Sequence, residues 1–185
     1  MTKALIVYGT RYGAAASTSE EIAKTLCQEG IEVRVVNAKE EKVKNIAEYD
    51  LVIVGSGILF HRWTSEPEKL LKKFQKELTT KKLALFVCCG SASQALNEDK
   101  PDIAEKARKR YLEEKAAKYN LQPVALGLFG GVYNYNKEPW YAKKAMEMDR
   151  PRIEAAYKEM QPGIYDTRDW NAIRSWAKEL AQKAK

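Results

Sequence analysis

Ala4-Leu5-Ile6-Val7-Tyr8 runs into Gly9-Thr10-Arg11-Tyr12-Gly13-Ala14-Ala15-Ala16-Ser17-Thr18-Ser19, and then into Glu20-Glu21-Ile22-Ala23. An apolar run, small and hydroxyl-bearing residues, then a helical pattern read as strand, loop and helix. The first backbone N–H groups of such a helix have no partner inside it, and the helix dipole adds partial positive charge there. Small side chains let a phosphate approach those groups, and hydroxyls add donors. The same stretch contains Ser17-x-x-Glu20 and Thr18-x-x-Glu21, either of which reads as a capping box in an ordinary strand–helix turn. Phosphate binding and capping are compatible readings.

Three common phosphate-binding designs are excluded. The stretch has no Gly-Lys-Ser/Thr, so it is not a Walker A loop, and Lys24 falls well inside the helix. It lacks Gly-x-Gly-x-x-Gly, and the second strand ends at Val36-Asn37 where a dinucleotide fold places an acid for the ribose. A receiver-type phosphorylation domain needs acids after the first and third strands, where Gly9-Thr10 and Ser56-Gly57 stand. What remains is a mononucleotide held by hydroxyls and backbone amides.

Length and composition bound the rest. A chain of 185 residues reads as one domain spanning residues 1–185, large enough to bury roughly 70% of its unfolded surface. No apolar stretch approaches ~18 residues and the start shows no signal-peptide pattern, so a cytoplasmic protein is expected. The three cysteines, two of them adjacent, do not form a secreted disulfide framework. With His61 the only histidine, a His-rich metal site is excluded, and Cys88-Cys89 without a second pair does not resemble a zinc site. Lys and Arg number 32 against 25 acids, a net charge of +7, densest at Lys106, Arg108, Lys109 and Arg110 and continuing to Lys115 and Lys118. That cluster is either a solvated helix face or a docking surface for an anionic membrane or an acidic partner. No nucleic-acid-binding motif accompanies it.

Four further apolar runs follow the first. Ile31 to Val36 alternates as an edge strand does, whereas Leu51 to Val54, Leu83 to Cys88 and Val124 to Phe129 are nearly continuous, as in strands buried on both faces. Helical patterns lie between them. Ile22, Ala23, Leu26 and Cys27 share a face, which places Cys27 in the core. Pro67 falls in the first turn of a helix behind Ser65-x-x-Glu68, with Leu70, Leu71, Phe74 and Leu78 inward. A third helix spans about Pro101 to Tyr119, and a last one starts near Asp166 to Asp169 with Trp170, Ile173, Ala177, Leu180 and Ala184 on one stripe. This alternation argues for a parallel, doubly wound α/β domain, in which ligands bind outside the C-terminal strand ends.

Two regions exceed what such a fold needs. Gly90 to Lys100 reads as a polar loop. Residues 130–165 form an insertion carrying Tyr133, Tyr135, Trp140, Tyr141, Tyr157 and Tyr165 among basic residues. Within it, Pro139 to Met148 reads as a short helix, after which Pro151 restarts the chain. These aromatics either cover a core edge or form a substrate wall or interfacial belt.

The run Ala4 to Ala14 and the stretch Tyr49-Asp50-Leu51-Val52-Ile53-Val54-Gly55-Ser56-Gly57-Ile58 resemble the flavodoxin superfamily. So do Gly127-Leu128-Phe129-Gly130-Gly131-Val132-Tyr133 and Tyr165-Asp166-Thr167-Arg168-Asp169-Trp170. The branch they are most similar to contains the menaquinone-dependent protoporphyrinogen oxidases. The resemblance implies a flavodoxin-like five-stranded parallel sheet of order 2-1-3-4-5, with FMN as cofactor. It implies a phosphate loop of Thr10, Arg11, Tyr12, Gly13, Ala14, Ala15, Ala16 and Ser17. An isoalloxazine loop would run from Ser56 through Gly57, Ile58 and Leu59 to Trp63, and Cys89, Gly90 and Ser91 would meet the pyrimidine edge. The family places a hydroxyl two residues after the loop glycine, where this chain has Ala15, and Ser17 and Thr18 are the candidates to supply it.

The redox chemistry would belong to the flavin, so no acid–base pair is assigned. His61 reads either as a proton relay or as a surface or phosphate-neighbour residue, and Cys88-Cys89 as a buried strand-end thiol beside a loop thiol. The leading expectation is an FMN-dependent oxidoreductase, of a porphyrinogen-like substrate, with a quinone acceptor and with peripheral contact to an anionic membrane. The alternatives are an electron carrier acting through a redox partner protein and a domain that kept the fold without flavin. Carrier flavodoxins are typically acidic, and this chain is basic.

Overall fold

Five of the apolar runs form one parallel sheet in the order β2-β1-β3-β4-β5, made of β1 (Lys3–Gly9), β2 (Glu32–Asn37), β3 (Leu51–Gly57), β4 (Lys82–Cys88) and β5 (Ala125–Phe129). The computed structural model describes residues 1–97, 101–137, 140 and 143–185. Side chains alternate across the sheet and build a core on each face. One face carries Leu5, Val7, Val52, Val54, Leu83, Leu85 and Val87, covered by α2 (Ser65–Lys73) and the long helical segment after residue 100. The other carries Ala4, Ile6, Leu51, Ile53, Ala84 and Phe86, covered by α1 (Ala14–Gln28) and α8 (Trp170–Ala184). Burial on both faces is the physical reason the β3 and β4 runs are continuously apolar. Register pairs Gly9 with Ser56, Ser56 with Val87, and Cys88 with Phe129, so the strands end together along one edge.

Several local expectations are corrected. Cys27 is exposed. The buried face of α1 is turned toward Ala15, Thr18, Ser19, Ile22, Thr25 and Leu26. Its hydroxyls enter the core because Ser19 and Thr25 donate back to Ala15 O and Glu21 O, at 2.8 and 2.9 Å. No capping box forms at α1, which is preceded by Gly13 without a side-chain cap, nor at α2, whose N-cap Thr64 makes none. The expected loop after β4 is helical as α4 (Gly90–Asn97), and residues 98–100 lie outside the described residues.

The third helix is interrupted. α5 (Pro101–Arg108) and α6 (Glu114–Lys118) are joined by a π-turn, Lys109–Glu113, that buries Tyr111 and Leu112. A short α3 (Gln75–Leu78) completes the connection from α2 to β4. The insertion holds a second, antiparallel sheet, β6 (Val132–Asn134), β8 (Ile164–Asp166) and β7 (Glu159–Gln161) in the order β6-β8-β7, which the sequence did not suggest. α7 (Lys143–Ala156) continues through Pro151 instead of restarting there. Proline removes one helix hydrogen bond, and ion pairs of Arg150 with Glu147 and Glu154 and of Arg152 with Asp149 bracket the gap. Pro139 and Tyr141 lie outside the described residues.

Glu68 ties α2 to α6, accepting from Lys118 Nζ at 2.7 Å and Tyr119 Oη at 2.9 Å and pairing with Lys115 at 2.9 Å. Burial pushes its carboxyl pKa up, but those three partners outweigh it and hold the group near about 2. A carboxyl held below its ordinary value of 4.5 stabilises the fold above that value and loses the contribution as pH falls through about 2. Glu68→Gln is therefore expected to cost about 1–2 kcal/mol at pH 7, allowing for solvent screening. In denaturant titrations at a series of pH values that cost should shrink between about 4.5 and 2. A cost independent of pH would refute the ion-pair account.

Candidate functional site

Three loops meet at the C-terminal edge of the sheet. The first joins β1 to α1. Gly13 sits at φ 91°, where an L side chain is strained, and a Cβ on it would meet nothing within 4 Å. Thr10 Oγ1 accepts the Gly13 N–H at 2.9 Å, which closes the loop. No side chain caps α1 and no acid lies in its first turn. In α8, by contrast, Asp169 accepts from Asn171 N and Ala172 N. The positive end of α1 is thus left for an outside anion. Arg11 is exposed, and Tyr12 and Ala16 are half-buried. Ala15 is fully buried, so it offers the loop its amide and not its side chain.

Ser17 faces inward. Its hydroxyl accepts from Arg168 Nη1 at 2.6 Å and donates to Gly13 O at 3.2 Å. The same nitrogen donates to Ala14 O at 2.9 Å and Thr18 Oγ1 at 3.3 Å. Asp166 holds the guanidinium from below through two 2.8 Å contacts, and the Trp170 ring stacks on it at 4.2 Å. With side-chain exposures of 5% and 11% this is a buried ion pair under the first turn of α1.

The second loop starts with Ser56, which is buried and structural. Its Oγ accepts Thr64 N at 2.9 Å and pairs with Thr64 Oγ1 at 3.0 Å. Gly57 lies beside Arg11 N, bringing the first two loops together. Ile58 N donates to Cys88 O at 2.9 Å, and Leu59 pairs with Arg62 across a two-residue turn. Phe60 and His61 fill that turn at φ 48° and 60°. Non-glycine residues held there store roughly 1–3 kcal/mol each and are typical of functional loops. Phe60 is 51% exposed at the tip, whereas Trp63 is 5% exposed and belongs to the core. The exposed aromatic ring of this loop is therefore Phe60, and the Trp63 ring is packed inside.

The third loop is Cys89 and the start of α4. Burial pushes the Cys88 and Cys89 thiols up to about 12 and about 11. Both stay protonated at neutral pH, which removes thiolate chemistry. Ser91 and Ala92 give Cys89 backbone hydrogen bonds, a smaller influence than burial. A Cβ on Gly90 would lie 2.4 Å from Tyr133 Oη, so the hydroxyl of β6 seats directly on this loop. Tyr133 stacks on Tyr135 at 6.3 Å, and Tyr135 meets Tyr165 at 6.0 Å. The second sheet therefore stands beside the third loop as a tyrosine wall. Trp140, at 88% exposure, projects into solvent.

Part of the basic cluster is paired within the chain: Lys106 with Asp102, Arg108 with Glu113, and Lys115 and Lys118 both with Glu68. Among the described residues no helix is long and apolar enough to cross a membrane.

The flavodoxin domain family matches residues 5–156. The chain belongs to that family. Protoporphyrinogen IX dehydrogenase (quinone) of Escherichia coli strain K12 is 25% identical over 97% of this chain and 94% of its own. Among solved structures, a short-chain flavodoxin associated with a PDU bacterial microcompartment is similar over 100% of both chains, with TM-score 0.58 and 13% identity. A flavodoxin from the domain Archaea covers 99% of each, with TM-score 0.55 and 15% identity. The fold of this flavodoxin-domain protein is thereby shown, with the expected strand order. The family implies a flavin, and the open, uncapped α1 terminus fits its phosphate better than any buried polar cluster would.

Phe60 lies inside the expected loop from Ser56 to Trp63, whereas Thr64 and Tyr111 lie outside every expected site and Arg168 has no expected role. Arg168 had a signal, since it lies in a quoted motif, but its target on α1 is 150 residues away in sequence. Tyr111 had none.

Proposed function

We propose that this flavodoxin-domain protein is an FMN-dependent oxidoreductase that oxidises a porphyrinogen-like substrate with a quinone as acceptor. The observation that carries the enzyme reading is the tyrosine wall seated on Gly90, because a plain carrier needs no such wall beside its flavin. The similarity to protoporphyrinogen IX dehydrogenase (quinone) over nearly the whole chain points to the same substrate class. Bound flavin supplies electron transfer in one- or two-electron steps.

The residues of the chain do the binding and shaping. The amides from Ala14 to Ala16 face the phosphate, with Thr10 holding their loop through the Gly13 N–H. Gly57, Ile58 and Leu59 present main chain to the ring, and Phe60 covers it. Cys89, Gly90 and Ser91 meet its polar edge. Tyr133 and Tyr135 exclude water on the substrate side. Residues 130–165 act in this reading as an insertion within one domain.

The test is direct. Protein purified with FMN should carry the two-band absorption of oxidised flavin, and calorimetry should rank FMN above riboflavin by at least tenfold, ~1.4 kcal/mol. Equal affinities would remove the phosphate argument. Turnover of a porphyrinogen with a soluble quinone supports the enzyme. Flavin bound tightly without turnover of either substrate, but with electron exchange to protein partners, would establish the carrier in its place.

A further inference from the structure

We propose that Tyr111 is a positioning residue, a latch that holds the strained Phe60-His61 turn in shape at the flavin ring. The proposal rests on the second loop being the isoalloxazine loop. Two contacts converge on this one buried residue. Its hydroxyl is hydrogen-bonded to His61 Nδ1, with the two rings 18° from coplanar and their centroids 6.2 Å apart. Its backbone carbonyl accepts Trp63 Nε1 at 2.9 Å.

The last contact depends on the π-turn. Between Lys109 and Glu113 the backbone leaves the α register, with Glu114 N bonded to Lys109 O. There the Tyr111 ring and carbonyl are both turned to the loop. Trp63 is itself buried, so this end of the clasp is rigid. The far end carries the two left-handed, non-glycine residues, a conformation that persists only where the surroundings over-determine it. Phe60 is 51% exposed at the tip. The latch thus offsets backbone strain and keeps the Phe60 ring presented at a defined height above the strand ends.

The decisive comparison uses glycine, which adopts positive φ at no steric cost, against alanine, which does not. Amide hydrogen exchange of residues 59–62 is measured in flavin-free protein, so the result is independent of cofactor loading. Tyr111→Phe deletes only the hydroxyl and is expected to speed exchange there by about three- to tenfold, the size of one lost net hydrogen bond. Exchange in β3 and β4 should not change. His61→Ala should match Tyr111→Phe or exceed it. His61→Gly, which loses the same imidazole but not the backbone conformation, should stay within about twofold of the natural protein.

No change in Tyr111→Phe overturns the latch. So does His61→Gly exchanging as fast as His61→Ala, since the contact would then be an ordinary side-chain bond with no strain to offset. A separate titration asks where the flavin lies. Tyr111→Phe should weaken FMN and riboflavin by the same factor, about three- to fivefold. Faster exchange with both affinities unchanged upholds the latch and removes this loop from the flavin site.

Discussion

Arg168→Met is expected to cost the folded chain about 3–5 kcal/mol, because it leaves the Asp166 carboxylate buried without its counter-charge. That side chain is only 11% exposed, and the arginine supplies both of its 2.8 Å contacts. The substitution also releases the first turn of α1, since Ala14 O, Ser17 Oγ and Thr18 Oγ1 all bond to the lost Nη1. The two consequences are separable. Changing Asp166 to leucine in the same chain removes the stranded charge and should restore most of the stability in urea titrations. FMN affinity should stay reduced in that double variant, because the anchor of the phosphate loop is still missing. A single variant losing less than about 1 kcal/mol would show that the pair is no more than a surface-like contact.

The second large effect concerns binding. Gly13→Val should lower FMN affinity by roughly 30- to 100-fold, about 2–2.8 kcal/mol. A β-branched residue cannot hold φ 91° without strain, so the loop must rotate and carry the neighbouring amides with it. Nothing in the protein lies within 4 Å of the added Cβ, so collision inside the fold contributes nothing. Riboflavin has no phosphate and should lose less, so the ratio of the two affinities should fall toward one. A parallel drop for both ligands would mean that the variant damaged the ring site instead, and the phosphate loop would have to be sought elsewhere.

The parallel sheet, its covering helices and the three strand-end loops were legible because they rest on local pattern, whereas the strand order came from the resemblance to the flavodoxin superfamily. A strand covered on both faces must be apolar at every position, and β3 and β4 are. A loop of small residues between strand and helix has few conformations and one electrostatic character. Where the reading failed, a side-chain hydrogen bond decided, either back to the same helix or to a residue far away in sequence. Cys27 was placed inside because apolar residues alone were counted, yet Thr18, Ser19 and Thr25 take the inner face of α1 by bonding back to helix carbonyls or, for Thr18, to Cys88 and Arg168. Gly90 to Asn97 looked like a loop by composition. It is a helix, with Ser93 hydrogen-bonded to Thr167 beside the Gly130-Gly131 turn. Trp63, the last residue of the expected isoalloxazine loop, is buried with its indole N–H bonded to Tyr111 O, 48 residues away.

The sequence by itself determined the parallel α/β sheet, because continuous apolar runs buried on both faces and the helical patterns between them are encoded within neighbouring residues, while the uncapped terminus of α1 emerged only from the structure. Only the tertiary structure decided which side chains shape the candidate site. Arg168 reaches α1, Tyr111 reaches the 59–62 turn and Tyr133 reaches Gly90 across separations of 150, 50 and 43 residues. No periodicity records contacts of that kind. They arise when packed helices and strands bring distant residues together, and their geometry is set by the whole fold.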